Sequence, residues 1–206
     1  MIIHDLTGTE HHPVYRSFES SNLERQYDFL ESIVEASLRL GRAFLSHQII
    51  RALNYHAIVS LHVEAGEYRS CQVRVGEHAP PPPHRVPAMM DDLINWVNRY
   101  WDTMDAITLA SFVLWKLNQI HPFINGNGRT ARAACHYVLC VKSGGWLPGR
   151  PILPELLKEH REEYVAALRQ ADLAEQDPAT HGTPASELQA LVQRLLKRQL
   201  DGAEGE

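Results

Sequence analysis

The sequence predicts a mainly α-helical bundle with one short β-hairpin, folded as a single domain. Three observations carry this expectation. Apolar residues recur at helical spacing in most of the segments between Gly- and Pro-rich breaks. Only residues 71–75 alternate in strand fashion. A chain of 206 residues suffices for one sizeable core, and no shift in composition marks a second. Within that domain, residues 1–45 read as an N-terminal segment and helix, 46–173 as the core, and 174–206 as a C-terminal helix and tail.

Residues 1–19 mix His, Pro and polar residues without a period, which predicts loop or short turns. Phe29, Ile33, Val34 and Leu38 then fall at helical spacing, and Ser21 with Glu24 fits a capping box at the start of that helix. A helix over 46–63 follows, carrying Ile49, Ile50, Leu53, Ile58 and Leu61, with Ser46 as its N-cap. His56 and His62 lie within it and are expected to pack or cap. His62-Val63-Glu64 matches the start of a zinc-deaminase signature, but no Pro-Cys-x-x-Cys follows. Twelve histidines without a His-x-x-x-His helix or a Cys cluster argue against a dedicated zinc site.

Residues 65–69 break the helix, and Cys71-Gln72-Val73-Arg74-Val75 alternates up to Gly76, the expected hairpin. Pro80 to Pro83 form a stiff extended spacer. Val86-Pro87 opens a helix carrying Met89, Met90, Leu93, Ile94 and Val97, with proline placed for a first turn. The clearest helix covers 105–120, with Leu109, Val113, Leu117 and Ile120 on one face. A mostly apolar helix over 131–142 is stopped by Gly144-Gly145. Residues 148–154 read as loop and 156–173 as a charged-surface helix. Breaks at Asp177-Pro178 and 181–184 precede a final helix, capped by Ser186, that carries Leu188, Leu191, Val192, Leu195 and Leu196. Residues 201–206 are expected to fray.

Between the two strongest helices lies Ile120-His121-Pro122-Phe123-Ile124-Asn125-Gly126-Asn127-Gly128-Arg129-Thr130-Ala131-Arg132. Gly126 and Gly128 let the backbone turn sharply and bring N–H groups close to a ligand. The helix N-terminus that follows adds unpaired donors and partial positive charge, which receive phosphate. Arg129 and Arg132, three apart, can grip different phosphates of one polyphosphate. His121 is the group here that can take a proton near neutral pH. These parts suit phosphoryl or nucleotidyl transfer to a hydroxyl.

This stretch resembles the signature of the Fic (Fic/Doc) family, His-Pro-Phe-x-(Asp/Glu)-Gly-Asn-Gly-Arg-x-x-Arg. The resemblance is specific over 120–132 and looser over 46–173. It implies a helical bundle with a hairpin flap beside the active-site loop, and transfer of AMP from ATP to a Ser, Thr or Tyr hydroxyl of a target protein. By position it implies His121 as base, Asn127 at the α-phosphate, and Arg129 and Arg132 at the β- and γ-phosphates, with the Gly126–Gly128 backbone assisting. Cys71, Gln72, Val73, Arg74 and Val75 would be the flap that positions the target by strand addition. Ser20-x-x-x-Glu24 resembles the family's inhibitory motif, in which the glutamate pairs with the second arginine, here Arg132, although Arg25 replaces the usual Gly or Asn.

Asn125 stands where the family has the acidic residue that binds Mg²⁺. Its amide oxygen can ligate a hard cation but carries no charge. At an effective dielectric of about 20, unit charges roughly 4 Å apart interact by ~4 kcal/mol, so Mg²⁺ affinity is expected to fall by up to ~1000-fold. Two rivals to an adenylyltransferase follow: a nucleotide-binding or interaction module with weakened catalysis, and a related enzyme that moves UMP or phosphocholine or removes AMP.

A net charge of −5 gives no basic footprint for nucleic acid. No run of eighteen apolar residues suggests a membrane span, and the first residues lack a signal-peptide pattern. Cys71, Cys135 and Cys140 form no Cys-x-x-Cys pair, favouring a reducing, cytoplasmic setting. The resemblance adds self-association as an expected partner relation.

Overall fold

The chain turns helical earlier than its periodicity predicts. The structure, a computed structural model of the chain, describes residues 2–41, 44–76, 78–176 and 186–203. Helix α1 (Ile3–Thr7) ends on Gly8 in the left-handed region, and α2 (Pro13–Arg39) starts with proline at its first position. The His12 ring accepts from Val14 N–H and caps α2. Ser21 and Glu24 therefore sit well inside a 27-residue helix, and the expected capping box is not a helix start.

The early turns of α2 escape a search for apolar periodicity because Tyr15 is the one residue they bury, and further along much of the helix's buried stripe is polar. Tyr15, Asn22, Gln26, Leu30, Val34 and Ser37 face inward. Most of their polar groups find partners: Asn22 donates to Val59 C=O and Gln26 to Leu53 C=O, each at 2.8 Å, while Ser37 and Tyr137 share a hydroxyl bond; Gln26 Oε1 has none among the described residues.

Ser46 caps α3 (His47–Ile58) by accepting from Ile49 N–H at 3.2 Å. The helix stops five residues short of the expected end, because Val59 turns extended and Ser60 takes a positive φ. Leu61, Ile3 and Tyr15 then form a small satellite core that fastens α1 to this turn.

The expected hairpin is not a ladder. Among the described residues its pairing is one isolated antiparallel bridge, Val75 with His78. The returning arm runs into Pro80–Pro83, which lacks N–H donors for a second strand. Side chains join the arms instead, Gln72 donating to Pro80 C=O at 2.9 Å. The proline run itself ends in a 3₁₀ turn, Pro83–Arg85, rather than as pure spacer.

Helix α4 (Val86–Tyr100) follows with proline in its first turn, then α5 (Ala106–Ile120), whose Asp105 cap accepts from Thr108 N–H at 2.9 Å. Helix α6 (Asn127–Ser143) starts four residues before the expected boundary, inside the Gly-rich loop. The stretch expected as loop then helix over 148–173 is two helices, α7 (Leu153–Glu159) and α8 (Arg161–Gln176), meeting at His160 with φ −90° and ψ 41°. Helix α9 (Ser186–Ala203) closes the described chain. The breaks expected at 177–184 and the last residues of the expected fraying tail, 204–206, lie outside the described residues.

Helix α6 is the centre of the bundle, buried along almost its whole length from Ala133 to Val141 and packed by α5, α3, α2 and α7. Trp115, Tyr137, Phe123, Leu53, Met90 and Leu109 are fully buried in the core that includes it. At ~1.5–3 kcal/mol for each large apolar side chain removed from water, this packing fixes the two helices that carry the loop. Among the described residues no helix is long and apolar enough to cross a membrane.

Candidate active site

The loop between α5 and α6 is shaped from both ends. His121 closes α5 in the left-handed region, at φ 51°, with its N–H on Leu117 C=O. Asn127 folds back over the turn: its Oδ1 accepts from Phe123 N–H at 2.9 Å and its Nδ2 donates to Phe123 C=O at 2.8 Å. With 3% of its surface exposed, Asn127 is committed to this clasp. Gly126 takes φ 75° and caps α6; a Cβ there would sit 2.6 Å from Ile58 Cγ2. Asn54 of α3 donates to Asn125 C=O and accepts from Gly66 N–H, so the loop rests on α3. The first amides of α6 are left without intrahelical partners, a seat for an anion.

Arg69 fastens the loop from the other side. It is 2% exposed, and its guanidinium donates to the carbonyls of His121 (2.8 Å), Cys71 (3.0 Å), Pro81 and Ile120. Its own N–H reaches Pro122 C=O at 2.9 Å. One buried cation thus ties the segment after α3, the proline run and the histidine turn together. Nothing in its sequence spacing distinguishes Arg69 from a surface arginine.

His121 lies where two cavities meet. The larger, about 900 Å³, is lined by Glu10, Glu19, Ser20, Leu23, Tyr27, Arg74, Asn125, Arg129 and Arg132, among others. The smaller, about 510 Å³, is more apolar, with Val75, Leu157, Tyr164, Val165 and Leu168 in its walls. His121, Gly128 and Arg132 belong to both. Burial pushes the His121 imidazole down to about 4, with His78 and Arg69 acting in the same direction against a backbone hydrogen bond at Asn118. The ring is therefore neutral at physiological pH and able to accept a proton.

A four-residue network occupies the mouth of α6. Arg129 donates to Asn125 Oδ1 and to Ala57 C=O, each at 2.9 Å, and pairs with Glu19 at 3.2 Å. Asn125 Nδ2 donates to Glu10 Oε1 at 2.9 Å. Glu10 also lies 3.3 Å from His62, whose ring bonds the Tyr15 hydroxyl. This donor set does not suit a divalent cation. The amide oxygen at 125 faces a guanidinium, the nearby carboxylates are already engaged, and the described residues hold no group of three metal-ligating side chains.

Of the residues singled out in the sequence, His121, Asn125, Gly126, Asn127, Gly128, Arg129, Arg132 and Ser20 line the larger cavity, as do Arg74 and Val75 of the shortened hairpin. Cys71, Gln72 and Val73 lie off the lining, and so does Glu24, an exposed residue for which the described structure gives no pairing with Arg132. Two carboxylates that do reach the site, Glu10 and Glu19, carry no signal in the sequence because both come from a stretch that reads as loop. Lys158 and Arg161, at the α7–α8 junction, line both cavities and are equally silent, for that junction reads as mid-helix.

Residues 44–139 match the family model described as Fic/DOC family. Protein adenylyltransferase fic-1 of Caenorhabditis elegans is 37% identical over 135 residues, 65% of this chain and 25% of that protein. Protein adenylyltransferase Fic of Drosophila willistoni is 36% identical over 111 residues, 53% of this chain and 21% of that protein. The chain thus spans about a quarter of the length of the curated relatives it matches. Among solved structures, Fic-1 of C. elegans (residues 134–508) superposes with a TM-score of 0.65 at 27% identity, covering 92% of this chain and 54% of that one. A Fic domain containing signaling protein from Bacteroides thetaiotaomicron shares the fold at TM-score 0.66 and 24% identity, covering 90% of this chain and 73% of that one.

Proposed function

We propose that this chain, whose residues 44–139 match the Fic/DOC family model, transfers AMP from ATP to a Ser, Thr or Tyr hydroxyl of a target protein. The observation that carries the reading is the position of a neutral, half-buried imidazole, His121, at the junction of two cavities beside an anion seat and two arginines. The matched relatives named protein adenylyltransferase support the reaction class.

In this reading the triphosphate lies in the larger cavity on the amides opening α6, with Arg129 and Arg132 on the phosphates beyond the α-phosphorus. The apolar smaller cavity takes the base. The target hydroxyl approaches from the Arg74–Val75 side. His121 takes its proton, the oxygen attacks the α-phosphorus, the bond to the β-phosphate oxygen breaks, and pyrophosphate leaves. Asn127 acts by holding the turn, and Arg69 by fixing the carbonyl of His121. No step goes through a metal.

Restraint belongs to the same reading. Glu19 on α2 already holds Arg129, whereas Glu24 would have to turn inward before meeting Arg132. A second reading, a nucleotide-binding module with little chemistry, is favoured by the engagement of both Asn125 and Arg129.

The test is incorporation of label from α-labelled ATP into protein, with the chain alone and with cell extract, for wild type, His121→Ala and Glu19→Ala. Label that requires His121 supports transfer. Label that ignores His121 overturns the mechanism, and nucleotide binding without label from either active-site form favours the module.

A further inference from the structure

We propose that this site binds the phosphates of its nucleotide without a divalent metal, because the place of the cation is taken by Arg129. The inference rests on the nucleotide-binding reading above and concerns how that site holds charge.

Both ends of the Asn125 side chain are committed. Arg129 Nη2 donates to its oxygen at 2.9 Å, and its nitrogen donates to Glu10 Oε1 at 2.9 Å. The partners fix the amide's orientation, since a guanidinium can only donate and an ionised carboxylate can only accept. A divalent ion seated on Asn125 Oδ1 would have to displace a full positive charge already in contact with that oxygen, or lie beside it against like-charge repulsion. The guanidinium in turn is held on two further sides, by Ala57 C=O and the Glu19 carboxylate. Of these partners only Glu19 is a half-exposed acid that a phosphate can replace, oxygen for oxygen, without disturbing the others.

Glu10 explains why position 125 carries an amide. A carboxylate at 125 could not donate to Glu10, and the two acids would face each other at hydrogen-bond distance. Such a pair does not ionise twice without a cation between its members. Asn125 is matched to Glu10 and Arg129 together, and the three form a site that is complete without a metal.

The experiment is calorimetric titration of the full chain with ATP, in Mg²⁺ and separately in EDTA, for wild type, Glu19→Gln and Asn125→Asp. Water-proton relaxation with Mn²⁺ on the same proteins reports metal binding directly. We expect wild-type affinity in EDTA within about twofold of that in Mg²⁺, and no Mn²⁺ signal beyond that of the free ATP complex. Asn125→Asp should bind ATP at least about tenfold more weakly in EDTA than in Mg²⁺ and should gain a Mn²⁺ signal, which Glu10→Gln added to it should reduce. A wild-type affinity that falls about tenfold in EDTA overturns the proposal and leaves the nucleotide reading standing. Metal indifference in Asn125→Asp overturns the role given to position 125. ATP binding to neither wild type nor Glu19→Gln, in either buffer, overturns the nucleotide reading and the proposal with it.

Discussion

His121 and Glu19 set the predictions that belong to single residues. The histidine titrates near 4 rather than at the ordinary 6.5, chiefly because it is buried. A general base must be unprotonated, so a His121-dependent rate should stay flat from pH 8 down to about 6 and fall only on approaching 4. An acid limb centred near 6.5 in the pH–rate profile would show that His121 is more solvated than its surroundings indicate. Glu19→Ala frees Arg129 of its carboxylate, whereas Glu24→Gly removes an exposed side chain outside the cavity. Labelling rates should therefore rise more for Glu19→Ala, by roughly tenfold if phosphate regains about 1.4 kcal/mol; the reverse order would assign restraint to Glu24. One turn beyond Arg132 on α6, His136 is fully buried, its ring edge-on to Trp146, and among the described residues neither ring nitrogen has a hydrogen-bond partner. Replacing it with Leu should stabilise the fold by about 1–2 kcal/mol in denaturant melts, since an unpaired buried polar group costs that much.

At the scale of elements, the loop's tolerance is set by what stands behind it. Gly126→Ala would strain a positive φ and drive a methyl to 2.6 Å from Ile58, so α3 or the loop must shift. Unfolding free energy should drop by about 2 kcal/mol or more, while Gly144→Ala, also at positive φ but with open space around it, should cost about 1 kcal/mol or less. Equal losses in the two melts would mean that backbone conformation alone matters at 126. The same contrast explains what the sequence discloses. Helices α4 and α5 are legible because their buried faces are apolar and their first turns carry proper start signals, Pro87 and Asp105. The first turns of α2 are hidden because Tyr15 is the one residue they bury, too little to make a periodic apolar stripe. Alternation in 71–75 overstates the hairpin because it says nothing of whether the returning arm, here prolines, can donate. His121, Arg129 and Arg132 can be placed from the motif's spacing, but Glu10, Glu19 and Arg69 reach the site only through tertiary packing.

For the whole molecule, burial of histidines makes stability depend on pH in a definite direction. His121 and His136 are both held at about 4 in the folded chain, mainly by desolvation, and return to about 6.5 when unfolded. Between those values the unfolded state binds protons that the folded state refuses, so stability rises with pH across the window from 4 to 6.5 and is lost on descending it. Every tenfold weakening of proton binding on folding corresponds to about 1.4 kcal/mol, so each histidine costs up to about 3 kcal/mol at pH 4 relative to neutral pH. The burial-lowered His56 and His62 act with the same sign. Domains of this size hold about 5–15 kcal/mol in all, so these two histidines alone can bring a fold at the low end of that range close to its midpoint by pH 4. Urea midpoints measured from pH 8 to 4 should stay nearly level to about 6.5 and then fall steeply. His136→Leu should flatten that descent by about half, because it removes one of the two groups while leaving the His121 site intact. A descent unchanged in His136→Leu would move the cause to carboxylates, whose protonation belongs to lower pH, and would mean that the imidazole at the centre of α6 is charged in the folded chain.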